Sequence, residues 1–150
     1  MKTPSHKTFL TITSRSKAMR IPRKRISQLV DFIATAEKAD LTEVDIAIVG
    51  LREMSKLNRN FLNHTGATDV ISFNLSGPGE NFVAEIIVCS DVAVQQAKHY
   101  GDKYKNTPQR ELLLYITHGL LHVLGYDDTT PAKAKKMHAR QEKLLEEFIN

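Results

Sequence analysis

The sequence predicts an α+β or mixed α/β fold with about four strands and about five helices, and three observations carry that reading. Stretches of alternating polarity and stretches with apolar residues three and four apart succeed one another in the order β-α-β-α-β-β-α-α-α. The first strand-to-strand connections are long enough for parallel crossovers. Between the third and fourth strands, "SGPGE" (76–80) is rich in turn formers, as expected of an antiparallel hairpin or a longer loop.

The elements follow in order. "TFLTIT" (8–13) alternates as a strand, and Ile26, Leu29, Val30, Ile33 and Ala34 then recur at helical spacing, with Pro22 well placed as the first helical residue. "VDIAIVG" (44–50) reads as a strand ended by glycine; Leu51, Met54, Leu57, Phe61 and Leu62 mark the next helix. "TDVISFN" (68–74) and "FVAEIIVCS" (82–90) are the hairpin strands, after which Ser90 or Asp91 is placed to cap a helix running to Tyr100, with Gly101 stopping it. Residues 108–124 are apolar around most of the circumference, which predicts a central helix. The last helix opens with Thr130 as cap and Pro131 in first position, and carries Ala134, Met137, Gln141, Leu144, Leu145 and Phe148 along one stripe.

A chain of 150 residues, 41% hydrophobic and 25% charged, is expected to form one globular domain over 1–150. Cys89 is its one cysteine, which excludes an intramolecular disulfide and a cysteine-rich zinc site and favours a reducing cytoplasm. The start has no signal-like apolar core, and no apolar run approaches the roughly 20 residues of a membrane helix, so no membrane partner is expected. Charge is unevenly spread. Residues 1–30 hold Lys2, Lys7, Arg15, Lys17, Arg20, Arg23, Lys24 and Arg25 and no acid, a charge of +8; the total of +4 leaves −4 for the rest. Such asymmetry fits either a polyanionic partner or a solvated basic face. Cations in the first turn of a helix oppose the macrodipole, so local stability does not call for Arg23, Lys24 and Arg25.

The chemistry concentrates in "THGLLHVLGYDDTT" (117–130). His118 and His122 are i and i+4, one turn apart on one helix face and close enough to share an ion. Gly125 can turn the chain back in the left-handed conformation, bringing Asp128 round as a third ligand. The spacing H-x3-H-x2-G-x2-D is that of the elongated zincin motif with aspartate in the last ligand position. Zincin proteases place a glutamate general base after the first histidine, where this chain has Gly119. The competing reading is a pair of hydrogen-bonded core histidines with Asp128 capping a turn. Glu111, sharing a stripe with Tyr115, His118 and His122, is a candidate to orient a ligand from behind, or else a surface acid near a helix start. Asp127 is expected to face away and bond the turn. Asp69 and Ser72 either face the cleft or satisfy local backbone. His6, His64, His99 and His138 lack ligand spacing and are expected at the surface. Phe61, Phe73 and Phe82 are expected in the core, leaving few aromatics for base stacking.

"HGLLHVLGYDD" resembles the signature H-G-x-L-H-x-x-G-Y-D-H of the bacterial YbeY endoribonucleases, differing in its last residue. "LNRNF" (57–61), "TDVISF" (68–73), "AEIIVCS" (84–90) and Glu111 resemble further blocks of that family in the same order. The resemblance implies a mixed sheet of about four strands surrounded by helices, with a metal in a cleft beside the central helix. His118 and His122 carry over as ligands, and Asp128 by position, in place of the family's histidine. A carboxylate still suits Zn2+, makes the bound water less acidic, and admits harder divalent ions. The family follows L-N-x-x-Y with arginine where this chain has Leu62; Arg59, one turn earlier, is the candidate substitute or a solvated surface residue. The implied activity is metal-dependent cleavage of single-stranded ribosomal RNA in small-subunit rRNA maturation and ribosome quality control. Arg15, Lys17, Arg20, Arg23, Lys24 and Arg25 would contact phosphates. The implied partners are the small ribosomal subunit and a ribosomal protein or GTPase, with no DNA. The alternatives are a ribosome-assembly or RNA-binding factor with a structural metal, and a metal-dependent hydrolase of another substrate such as a peptide.

Overall fold

The computed structural model describes residues 8–62, 66, 68–77, 79, 81–104 and 106–150, with side chains at all of these but 100–104. Lys2, His6, Lys7 and His64 lie outside the described residues. The element order is β1 (Phe9–Ser14), α1 (Arg23–Ala36), β2 (Asp40–Val49), α2 (Leu51–Leu62), β3 (Val70–Asn74), β4 (Asn81–Cys89), α3 (Ser90–Tyr104), α4 (Pro108–Val123) and α5 (Pro131–Ile149). The strands form one mixed sheet in the order β1-β2-β4-β3. β1 with β2 and β2 with β4 pair in parallel, through helical crossovers; β3 pairs antiparallel with β4 across the hairpin.

Strand alternation sorts the side chains onto two faces. Val44, Ile46 and Ile48 of β2 and Ala84, Ile86 and Val88 of β4 join Ile26, Leu29, Val30 and Ile33 of α1 and Leu112, Ile116 and Leu120 of α4 in the main core. A second cluster combines Val49, Ile71, Ile87 and Cys89 with Met54 of α2. α5 covers α4 from outside, through Leu121, Met137 and Leu144. Every apolar side of α4 therefore meets a partner, as its all-round hydrophobicity requires.

Gly119 lets α4 come close to the sheet. A Cβ there would lie 3.1–3.2 Å from Ile86 and Val70 side-chain carbons, one of them on a β-branched valine with little freedom to yield.

Several local expectations change. α3 passes through Gly101 to Tyr104, because glycine in a helix interior costs only about 1 kcal/mol. Asp91 caps a different helix. Parallel β2 and β4 end level, Val49 opposite Cys89, so Asp91 Oδ2 reaches the Leu51 N–H at the start of α2, at 2.7 Å. Pro22 is the residue before α1, not its first, and Arg23, Lys24 and Arg25 fill the opening turn. Phe61 is not in the core; it is 62% exposed in the last turn of α2, its ring edge-on to Phe73 of edge strand β3.

Candidate metal centre

The C-terminal end of α4 explains how three distant-looking residues meet. Thr107 starts the helix by accepting the Arg110 N–H, with Pro108 in first position. At the other end Gly125 takes φ +106°, and the Gly125 and Tyr126 N–H groups donate to the carbonyls of His122 and Leu121. That is the Schellman pattern, in which a left-handed residue reverses the chain over the last helical carbonyls. Thr130 then caps α5 by accepting the Lys133 N–H. The segment between, 125–130, is thus tied down at both ends, and Asp128 sits within it.

The reversal also dictates the chemistry of His122. It brings the Tyr126 carbonyl to 3.2 Å from His122 Nδ1, which donates, leaving the Nε2 lone pair directed away from the backbone. His118 Nδ1 finds its acceptor elsewhere, at Gln141 Oε1 of α5, 2.7 Å away. The two Nε2 atoms lie 3.1 Å apart, and Asp128 Oδ2 is 3.6 Å from that of His122 and 4.0 Å from that of His118. Each residue offers one ligand atom, all within 4.8 Å of one another.

This donor set fits a divalent ion. Tetrahedral zinc with N and O ligands at about 2.0–2.2 Å spaces its ligands about 3.3–3.6 Å apart. The 3.1 and 3.6 Å separations bracket that spacing, and the 4.0 Å one closes with a small movement of a half-exposed carboxylate. Among the described residues, these three form the one His/Cys/Asp/Glu group so arranged.

A partly buried ion pair steadies the loop. Arg140 Nε and Nη2 both donate to Glu37 Oε2 at 2.6 Å, and Tyr126, packed among Leu121, Met137 and Leu144, has its phenol pushed up by burial and by the Glu37 carboxylate beside it. Asp127 turns away, accepting the Thr129 N–H at 2.6 Å with Lys133 Nζ 3.5 Å from it, and its carboxyl is held low by these bonds. An open cavity of about 320 Å³ flanks the loop, lined by Leu124, Gly125, Tyr126, Asp127, Lys133 and Lys136.

Residues 11–149 match the family described as endoribonuclease YbeY. The chain belongs to the YbeY family. The endoribonuclease YbeY of Staphylococcus carnosus strain TM300 is 34% identical over 134 residues, covering 83% of this chain and 85% of that protein. Its counterpart in Staphylococcus aureus strain RF122 is 35% identical over 136 residues, with the same coverage. The solution structure of TM1509 from Thermotoga maritima aligns with a TM-score of 0.63 at 28% identity, over 93% of this chain and 89% of that one. Relatives of this kind are hydrolases of RNA, and the YbeY fold here is the mixed four-stranded sheet with its five helices.

Other residues singled out in the sequence fall away from the YbeY triad. Glu111 is buried near the start of α4, where it accepts a bond from Asn106 Nδ2; burial, and after it the Glu111 charge, pushes the Tyr115 phenol up. Arg59 is exposed in the last turn of α2, with Leu62 exposed at the helix end, and neither joins the hydrogen bonds of the triad.

Within the basic segment, three of the six cations have partners inside the chain. Arg15 grips Glu53 through Nε and Nη2 at 2.7–3.1 Å, which raises its own pKa and lowers that of the carboxyl. Arg23 Nη1 donates to the Ile12 carbonyl at 2.8 Å, and Arg25 stacks over Phe148 at 4.4 Å. Contrary to the macrodipole argument, local structure does use two of the three cations in the first turn of α1. Lys17, Arg20 and Lys24 are exposed. The Arg20 carbonyl accepts from Gln109 Nε2, at the opposite end of α4 from the imidazoles, roughly 14–20 Å away along the helix.

Two buried, hydrogen-bonded polar side chains were not singled out by pattern reading. Gln141 was legible only as a polar interruption in the α5 stripe. Asn58, in "LNRNF", is buried and donates to the Gly66 carbonyl at 2.9 Å.

Proposed function

We propose that this chain is a zinc-dependent endoribonuclease cutting single-stranded ribosomal RNA, in small-subunit 3′-end maturation and ribosome quality control in the cytoplasm. The observation that carries the reading is the pair of imidazole Nε2 atoms 3.1 Å apart, both Nδ1 atoms engaged, with the Asp128 carboxylate beside them. His118, His122 and Asp128 would hold the ion, which when bound supplies Lewis acidity toward a phosphoryl oxygen and activation of water. Asp128 stands where the family signature ends in histidine, and adds negative charge that suits zinc and harder divalent ions alike. Arg59 would stabilise charge on the phosphate in place of the arginine that Leu62 replaces. Lys133 and Lys136 on the loop-side cavity, together with Lys17, Arg20 and Lys24, would supply phosphate contacts without sequence choice. Selection of the RNA would then fall to the small ribosomal subunit and a ribosomal protein or GTPase.

The peptide-hydrolase alternative is disfavoured by Gly119, since the position that carries the protease base is wedged against Ile86 and Val70 of the sheet. An assembly factor with a structural metal is favoured by one observation, the exposed Leu62 at the family's arginine position. Assays on purified full-length protein separate these. The endoribonuclease reading expects cleavage of single-stranded RNA to vanish on metal removal, return on adding zinc, and fail in His118→Ala and His122→Ala. Arg59→Ala should slow it by about tenfold or more. If chelation lowers Tm while no RNA is cut under any metal condition, the assembly-factor reading replaces it.

A further inference from the structure

The two imidazoles obtain their Nδ1 acceptors by different routes. His122 uses the Tyr126 carbonyl, which the turn at Gly125 delivers locally. His118 lies one turn earlier, within the helix, where carbonyls are occupied by i+4 amides. Its acceptor comes from 23 residues away in sequence, Gln141 of α5.

Gln141 is otherwise hard to explain. It is 7% exposed, with Met137, Leu144 and Leu145 as the other buried residues of its helix. An amide in such a stripe costs stability unless it is hydrogen-bonded, and its bond here is to the imidazole. The side chain is also neutral. It can accept from Nδ1–H without adding a second negative charge to the one Asp128 brings.

We infer that Gln141 is a positioning residue that fixes His118 as the Nδ1–H tautomer, with Nε2 bare, and thereby sets the affinity of the site for its divalent ion. This rests on the metal-site reading above and extends it to α5: docking of the last helix completes the site, because the ligand most deeply embedded in α4 cannot be oriented by α4 itself. Next to it, Arg140 holds the Tyr126 loop through Glu37, so consecutive residues of α5 support both imidazoles.

Two measurements on the full-length protein test the inference. In metal-free wild type, imidazole 15N shifts should show His118 protonated at Nδ1 and bare at Nε2; the Nε2–H form would overturn it. Zinc affinity is then read by competition with a chromophoric chelator. Gln141→Leu should bind zinc about 10–100-fold more weakly, the usual effect of losing an acceptor behind a ligating histidine. Gln141→Glu, which keeps an acceptor, should return to within about threefold of wild type, a recovery that a purely packing role would not produce. In the Leu variant the His122 tautomer should be unchanged, which also reports that α4 and its turn are folded. Equal zinc affinity in wild type and the Leu variant overturns the inference while leaving the metal site standing. A wild-type protein that takes up no zinc overturns the metal reading, and the inference with it.

Discussion

The two ends of α4 carry the two polar clusters that stand out in this chain, and they are built differently. At the C-terminal end, His118, His122 and Asp128 bring their ligand atoms together, while the two imidazole Nδ1 atoms are bonded behind them. At the N-terminal end, the basic segment tied on through Arg20 spends Arg15, Arg23 and Arg25 on contacts within the chain and exposes Lys17, Arg20 and Lys24. Convergence of potential ligand atoms singles out one place in the fold. A run of like charge does not, because each cation can be diverted to a different neighbour.

The largest effect should come from placing the zincin protease's glutamate at the histidine end of α4. Gly119→Glu would gain about 1 kcal/mol of helix propensity but drive a carboxylate into Ile86 and Val70, and a loss of more than about 4 kcal/mol is expected. Urea unfolding should show a protein largely unfolded, and a stable variant would mean that α4 does not lie so close to the sheet.

The basic end should split in two. Lys17→Ala with Lys24→Ala is expected to weaken binding of single-stranded RNA and reduce the slope of log K against log salt by about 1–2, without moving Tm. Arg25→Ala should instead cost about 0.5–1 kcal/mol through the lost stacking on Phe148. Identical behaviour of the two variants would erase the distinction between exposed and diverted cations.

The smallest effect concerns Arg15 and Glu53. The bond from Arg15 holds the Glu53 carboxyl below its ordinary value, so the pair's stabilisation is present at neutral pH and is lost as pH falls through the carboxylate range. An exposed pair is worth less than about 1 kcal/mol. Glu53→Gln should flatten the acid limb of the stability curve by no more than that, as read from denaturation at a series of pH values.

What could be read in the sequence follows from the range of the interactions involved. The triad was legible because helix pitch puts His118 beside His122 and a glycine with positive φ returns Asp128, all within eleven residues. The parallel crossovers and the antiparallel pairing of β3 with β4 were legible in connection lengths and turn residues, which are also local. Gln141 was not legible as a support, since its meaning depends on which helix docks on α4. Asp91 was assigned to the wrong helix for the same reason: only the level ends of β2 and β4 bring it to Leu51. Phe61 fitted an apolar spacing, but α2 buries Met54 and Asn58 and leaves its last turn outside.

The most direct test is the anomalous diffraction of crystals of the zinc-loaded chain. A peak within about 2.0–2.2 Å of His118 Nε2, His122 Nε2 and an Asp128 carboxylate oxygen is the predicted result. A peak bound through either Nδ1, or one placed away from Asp128, would contradict it.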